Sequence, residues 1–185
     1  MKAAQPVTKA KTLQRTRVAD ALAATKAKEQ VLVKGWVRTR RDSKQCVFLE
    51  INDGSCLKNL QVVVDAGSRA HEVLDNVSTG ASVSVRGKLV ASPAKGQQWE
   101  IQAEELKLIG AADQESYPLQ KKRHSDEFLR TISQLRPRTN KYGALNRIRS
   151  ELAFAVHKYF HDRGFFYVHT PVITGSDCEG AGELF

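Results

Sequence analysis

The central part of the chain alternates apolar and polar residues with the period of two that is typical of β-strands. Five runs rich in β-branched and aromatic residues have this pattern: 31–37, 46–51, 59–64, 81–91 and 98–109. Turn-forming residues at Arg41–Lys44 and Asn52–Ser55 separate the first three runs,. The pattern therefore predicts five short strands between residues 31 and 109.

A helical segment is predicted at 68–77 (SRAHEVLDNV), between the third and fourth strands,. Three strands, a helix and two further strands is the element order of an OB-fold, a small β-barrel that commonly binds nucleic acids. A second short helix is predicted at 16–28, with Val18 and Leu22 on one face, and we expect it to pack against the barrel.

A longer helix is predicted at 144–162, where apolar residues recur at spacings of three and four and form one stripe: Leu145, Ile148, Leu152, Val156 and Tyr159,. Gly164 follows as a helix-ending residue. The run FFYVHTPVIT (165–174), which contains Pro171, is predicted to form a strand. The fold class is therefore α+β, with the barrel first and a helix and strand at the end.

Four regions follow from these elements. Residues 1–30 form a basic extension with a short helix, and 31–110 form the barrel. Residues 111–140 are predicted to be a linker and hinge, because GAADQESY, Pro118 and the rigid RPRT segment interrupt regular structure,. Residues 141–185 begin a second domain.

Three arginines, Arg38, Arg40 and Arg41, lie between the first two strands, with Phe48 on the second strand and Gln61 on the third. Cations bind phosphate groups, an aromatic ring stacks on an unpaired base, and an amide can read a base edge. This combination predicts a surface that binds single-stranded nucleic acid.

The charge of the chain agrees with such a partner. Lys and Arg number 29 against 20 acidic residues, which gives a net charge of +9 and a pI near 9.6,. Three cysteines without a CxxC spacing, and His157 and His161 without further ligands, predict neither a disulfide framework nor a metal site,. We expect no membrane association and a cytoplasmic location, or an organellar one if the basic N-terminus is the remnant of a transit peptide.

The run GWVRTRRDSKQCVFLEINDGS, followed by LQVVV, resembles the anticodon-binding OB-fold of class IIb aminoacyl-tRNA synthetases, and LEINDGS resembles the asparaginyl branch. The segments HSDEFLR and LRPRT resemble the hinge of the same class. The long helix and the strand with Pro171 resemble its motif 1. The resemblance implies that Arg38, Arg40, Arg41, Phe48 and Gln61 bind the anticodon, and that Leu152, Val156 and Pro171 contribute to a homodimer interface.

The last stretch, TPVITGSDCEGAGELF, resembles the mobile loop at the amino-acid site of aspartyl, asparaginyl and lysyl synthetases. On that resemblance Glu179 would bind the ammonium group of the amino acid and Ser176 would lie nearby. From the residues alone, a flexible acidic loop is an equally simple interpretation.

The resemblance implies an enzyme that activates asparagine with ATP and Mg²⁺ and transfers it to tRNA. Counterparts of the ATP-holding motifs 2 and 3 are not found before Phe185. The chain is therefore expected to be an N-terminal part, either a fragment or a truncated product, without catalytic residues or a bound cofactor and inactive alone. Three alternatives remain open: a part of an aspartyl- or lysyl-tRNA synthetase, a stand-alone OB-fold module that binds tRNA without catalysis, and an interaction or regulatory paralogue that keeps the motif 1 interface alone.

Overall fold

The structure is a computed structural model that describes residues 13–172. The chain divides into two compact units, Met1–Gly143 and Ala144–Phe185. The predicted region boundaries near residues 30, 110 and 140 remain predictions.

Five strands of the first unit close into a barrel, as the sequence predicted: β1 Lys28–Asp42, β2 Cys46–Asn52, β3 Leu60–Asp65, β4 Ser82–Ala91 and β5 Trp99–Gly110. The strand order is β1-β2-β3-β5-β4, and β4 returns to pair with β1. The pairing of β3 with β5 is parallel, whereas the other pairs are antiparallel. A 3₁₀ helix, His71–Asn76, lies between β3 and β4 at the predicted position. This is the topology of an OB-fold.

The barrel interior is filled by the apolar residues of the alternating pattern. On β2 and β3 these are the buried residues Val47, Leu49, Ile51, Leu60, Val62 and Val64. Helix α1, Val18–Leu22, is shorter than predicted, and it adds the buried side chains of Val18 and Ala21 to the same core. The indole N–H of Trp99 donates to the carbonyl of Ala24 at 2.8 Å, so the segment after α1 is also fixed to the barrel.

Strand β1 is longer than the predicted run 31–37. It begins at Lys28 and continues through Arg41 to Asp42. The predicted turn at Arg41–Lys44 is wrong for its first two residues, which pair with Phe48 and Val47 of β2. The register shifts between Val37 and Thr39, which is a β-bulge. A bulge adds one residue and reverses the alternation of the strand. As a result, even-numbered side chains point outward before the bulge, and odd-numbered side chains point outward after it.

The segment after the barrel contains helix α2, Asp126–Thr131, and a 3₁₀ helix, Arg136–Arg138. The hydroxyl of Ser125 caps α2 by accepting from the backbone N–H of Phe128,. Tyr117 packs over Gly80, where a Cβ atom would lie only 2.7 Å from the tyrosine ring. Leu119 and Leu129 are buried. The predicted hinge, 111–140, thus belongs to the same compact unit as the barrel.

Helix α3, Asn140–His161, begins four residues before the predicted start. The predicted strand at 165–174 is not present in its described part, because residues 165–172 have no regular structure. A strand requires a neighbour for its backbone hydrogen bonds, and no described strand pairs with this segment. Within residues 13–172, no helix combines the length and apolar character needed to cross a membrane.

Candidate nucleic-acid interface

The outer surface of β1, β2, β3 and β5 brings several of the predicted residues into two rows. In the first row, Arg41 pairs with Phe48, and Phe48 pairs with Val63. In the second row, Thr39 pairs with Glu50, Glu50 with Gln61, and Gln61 with Glu100. Side chains of directly paired residues lie about 5 Å apart. We call this surface the recognition face, defined by Arg41, Phe48, Glu50, Gln61, Val63 and Glu100.

Arg41 and Phe48 form a cation–π pair on the recognition face. The guanidinium carbon lies 4.6 Å from the centroid of the phenyl ring. Arg41 is exposed and Phe48 is half-buried. Packing therefore restrains the ring, whereas the guanidinium group remains accessible to solvent. The two residues also line a shallow, open depression together with Lys44. A planar apolar group beside exposed cations is suited to an unpaired base and its phosphate.

Gln61 and Glu100 form the polar part of the face. The Gln61 amide nitrogen donates to Glu100 Oε2 at 3.1 Å. The same carboxylate oxygen accepts from the Ser92 hydroxyl at 2.7 Å and the Gln97 amide at 3.3 Å. Glu100 is only 6% exposed. Because Glu100 orients one amide N–H of Gln61, the amide carbonyl and the second N–H can face a base edge.

Glu100 was not singled out in the sequence. It lies between the apolar residues Trp99 and Ile101, and only the parallel pairing of β3 with β5 brings it beside Gln61. Its one signal in the sequence is a carboxylate placed between two large apolar residues. The sequence alone does not show that β3 pairs with β5, which is what places the Glu100 carboxylate beside Gln61.

Arg40 is not part of the recognition face. After the bulge, odd-numbered side chains such as that of Arg41 point outward, so the side chain of the even-numbered Arg40 points to the other side of the strand. Its Nη1 donates to the carbonyls of Leu74 and Val77 at 2.6 and 2.9 Å. Its Nε and Nη2 donate to Asp42 Oδ1 at 3.0 and 2.9 Å. These bonds satisfy carbonyls at the end of the 3₁₀ helix. The structure thus gives Arg40 a role in fixing that helix to β1.

Arg38 occupies the bulge and lies away from Phe48. It lines a groove between β1 and the hinge together with Tyr117 and Lys141. Burial lowers the pKa of the Arg38 guanidinium below its usual range, and the neighbouring Arg138 lowers it further; Tyr117 and Glu50 oppose this. Of the three predicted arginines, only Arg41 is therefore brought together with Phe48 and Gln61.

The INDGS segment, which carries part of the family resemblance, anchors the N-terminal part of the chain. Asp53 Oδ2 accepts from the Val18 backbone N–H at 3.1 Å and from Arg15 at 3.0 Å. The Ser55 hydroxyl accepts from the Ala19 N–H at 2.9 Å. The Asn52 amide nitrogen donates to the carbonyls of Cys56 and Lys58. These residues cap α1 and hold the β2–β3 loop rather than extending the recognition face.

In the second unit, Leu152 and Val156 are 60% and 58% exposed on α3, and Pro171 is exposed as well. Ser176 and Glu179, the predicted amino-acid-site residues, lie outside the described residues. Within residues 13–172, no group of three or more His, Cys, Asp and Glu side chains is arranged to hold a metal ion.

Residues 31–109 match the family model described as an OB-fold nucleic acid binding domain of the tRNA anticodon type. The chain is 64% identical over 173 residues to an asparagine–tRNA ligase of Nitratidesulfovibrio vulgaris, and 61% identical over 168 residues to one of Lawsonia intracellularis. The alignments cover 94% and 91% of this chain. Over most of its length, the chain is similar in sequence to part of these asparagine–tRNA ligases.

The match is confined to part of the relatives, since the chain spans 38% and 37% of their length. Among solved structures, the fold is similar to asparaginyl-tRNA synthetase from Pyrococcus horikoshii, with a TM-score of 0.75, 23% identity, and coverage of 88% of this chain and 39% of that one. It is also similar to aspartyl-tRNA synthetase from Entamoeba histolytica, with a TM-score of 0.70, 17% identity, and coverage of 86% and 39%. At these identities the structural similarity concerns the fold alone, whereas the two sequence relatives at 64% and 61% identity are asparagine–tRNA ligases.

Proposed function

We propose that this chain is the tRNA-recognising part of an enzyme that attaches asparagine to its tRNA, and that the recognition face binds the anticodon loop. The observation that carries the proposal is the 64% identity to an asparagine–tRNA ligase over 94% of the chain. The face adds a physical basis for RNA binding. It combines the aromatic ring of Phe48, the exposed cation of Arg41 and the oriented amide of Gln61,.

Each of these groups has a separate role in the proposed complex. An unpaired base stacks on Phe48, and Arg41 binds an adjacent phosphate group. Gln61 reads the edge of a base, and Glu100 fixes the orientation of its amide. This arrangement requires single-stranded RNA, because bases in a duplex do not offer their faces to a protein ring.

In the complete enzyme, ATP is the proposed co-substrate and Mg²⁺ the proposed metal, with asparagine bound near Ser176 and Glu179. The described residues provide no group of metal ligands, so no step is assigned to them. We also propose that the apolar stripe of α3, including Leu152 and Val156, lies in a homodimer interface with Pro171. The proposed location is the cytoplasm.

Amino-acid-dependent pyrophosphate exchange, measured on the complete enzyme with asparagine, aspartate and lysine in parallel, tests the assignment to the asparaginyl branch. Exchange with asparagine alone is expected. Exchange with aspartate or lysine in place of asparagine would contradict it. Titration of this chain with asparagine tRNA tests the RNA-binding part separately, because it requires no catalysis.

A further inference from the structure

An open groove of about 660 Å³ separates the outer surface of β1 from the hinge. We call it the hinge groove. It is lined on the barrel side by Arg38 and Thr39 of β1 and by Asn59, and on the hinge side by Tyr117 and the segment Lys121–His124. The groove lies entirely within the first unit.

The hinge groove carries an excess of positive charge. Among the described residues that line it, Arg38, Lys121, Lys122, Arg123 and Lys141 are cationic, and Asp126 is the one acidic residue. Asp126 is paired with Lys141. Within residues 13–172, no ion pair joins Arg38, Lys121, Lys122 or Arg123 to a carboxylate. Clustered cations repel one another, so an anion in the groove would be stabilised.

Arg38 is the most informative of these cations, because it is half-buried next to a second guanidinium. That second group, Arg138, is held in place. Its Nη1 donates to the Tyr117 hydroxyl at 3.3 Å, and its guanidinium carbon lies 4.6 Å from the ring centroid of Trp36. Arg38 in the groove, with the Arg138 guanidinium nearby, suits a phosphate group, which accepts several charge-assisted hydrogen bonds,.

The hinge groove is continuous with the recognition face. Thr39 lines the groove and pairs with Glu50, which in turn pairs with Gln61. Asn59, which also lines the groove, donates to Glu50 at 3.0 Å. Thr39 and Gln61 are two strand spacings apart, about 10 Å. An RNA strand with a base at Gln61 can therefore reach the groove with a neighbouring part of its backbone.

We propose that the hinge groove binds the phosphodiester backbone of the same RNA whose bases lie on the recognition face. This inference rests on the proposed function, because it takes RNA as the ligand. Free phosphate shares the same chemistry. However, the groove is open and joined to the recognition face, which favours a polymer over a small enclosed anion.

The experiment measures the affinity for asparagine tRNA as a function of salt concentration in the full chain. Arg38→Gln is compared with wild type, with Arg38→Lys, and with Lys122→Gln/Arg123→Gln, which changes exposed residues and leaves Arg38 intact. Arg86→Gln is the matched control, since Arg86 lies on β4 outside the groove and pairs with Glu105. Circular dichroism establishes that each variant is folded.

Arg38→Gln and Lys122→Gln/Arg123→Gln are each expected to lower the affinity about tenfold, the effect of losing a charge-assisted contact. The slope of log affinity against log salt should fall by about 0.7 for each lost phosphate contact. Arg38→Lys should restore most of the slope, and Arg86→Gln should leave the slope unchanged. Wild-type slopes in both groove variants, with tRNA binding intact, would overturn the proposal.

Two further outcomes separate the possible sources of failure. If wild type binds no tRNA, both the proposed function and the groove proposal fail. If tRNA binding depends on Phe48 but not on the groove residues, only the groove proposal fails. Titration with inorganic phosphate alone, followed by NMR of the arginine side chains, supplies the last comparison. Saturable phosphate binding that depends on Arg38, combined with an unchanged tRNA slope in Arg38→Gln, would assign the groove to a small anion and overturn the RNA assignment.

Discussion

Arg41 and Phe48 are directly paired across β1 and β2, and the Arg41 guanidinium carbon lies 4.6 Å from the centroid of the Phe48 ring. This separation is too small to admit a base between the two groups. A base that stacks on the covered face of the ring must therefore displace Arg41, which has no other described hydrogen bond or ion pair and can turn toward phosphate. The pair thus links base stacking to phosphate binding in one local rearrangement.

The ring of Phe48 provides the first prediction. Phe48→Leu retains an apolar side chain on β2 but removes the aromatic face, and we expect a loss of about 1–3 kcal/mol in binding free energy for asparagine tRNA. Phe48→Ala should show a similar loss, whereas Phe48→Tyr should bind nearly as well as wild type. Filter-binding titrations measure these affinities. Wild-type affinity in Phe48→Leu would show that the ring does not stack on a base.

Arg40 and Arg41 are neighbours in sequence with different expected roles, so each serves as the control for the other. Arg41→Gln should weaken tRNA binding about tenfold and lower the salt slope by about 0.7, with little effect on stability. Arg40→Gln should instead lower the free energy of unfolding by about 1.5–3 kcal/mol, because it removes charge-assisted bonds to the Leu74 and Val77 carbonyls,.

Urea denaturation and salt-dependent titration measured on both variants separate these roles. The assignment would be contradicted if Arg40→Gln changed the salt slope while Arg41→Gln left it unchanged. A stable Arg40→Gln variant with normal unfolding would show that its bonds to the 3₁₀ helix contribute little.

The different positions of these arginines show what the sequence could and could not predict. The strands were predictable, because the barrel interior imposes a strict alternation on β2 and β3. Phe48 and Gln61 were predictable for the same reason, as they occupy outward positions of that alternation. The bulge between Val37 and Thr39 left no clear trace in the sequence, and it alone decides that Arg41 and not Arg40 lies beside Phe48.

Two other features depended on long-range structure. Glu100 lies 39 residues from Gln61 in the chain, and only the closure of the barrel brings their side chains together. The strand predicted at 165–174 had the composition of a strand, but a strand also requires a partner, and none is found among the described residues. The local residue pattern was therefore sufficient to predict the barrel strands. It was not sufficient for Glu100 or for the segment at 165–174, because those features depend on which strand pairs with them.

The Asp53 carboxylate provides a prediction of pH dependence. Burial alone would raise the pKa of Asp53, but hydrogen bonds from Ser55, the Val18 backbone N–H and Arg15 together hold it below its ordinary value of 3.8. A carboxyl group with a lowered pKa in the folded state stabilises the fold at pH values above 3.8. That stabilisation is lost progressively as the pH falls below 3.8 and through the folded-state pKa.

Asp53→Asn should therefore lower the free energy of unfolding by about 1–2 kcal/mol at pH 7, the usual effect of weakening a helix cap. The difference from wild type should shrink as the pH is lowered below about 4, because wild type loses the same charge. Asp65→Asn, an exposed position at the end of β3, is the control. A difference that stays constant from pH 7 to pH 2.5 would contradict the role of the Asp53 charge.

The exposed stripe of α3 predicts self-association. Leu152 and Val156 are more than half exposed, and apolar surfaces of this kind commonly lie in interfaces between subunits. Leu152→Lys should shift the sedimentation coefficient from the dimer toward the monomer at micromolar concentration. Ser150→Lys places the same charge about 200° around the helix from that position and should have no such effect. If both variants self-associate as strongly as wild type does, this stripe is not an interface.

The central claim, that the recognition face reads the anticodon loop, is tested most directly by the affinity ratio between asparagine tRNA and the same tRNA with its anticodon bases replaced. Wild type should prefer the native loop by at least about tenfold, as expected when a hydrogen-bonding site loses its partner. Glu100→Ala should reduce this ratio, because the Gln61 amide loses the oxygen that orients it, whereas Glu104→Ala, at an exposed position of the same strand beyond the residues that pair with β3, should preserve it. Equal affinity of wild type for the two tRNAs would contradict the account.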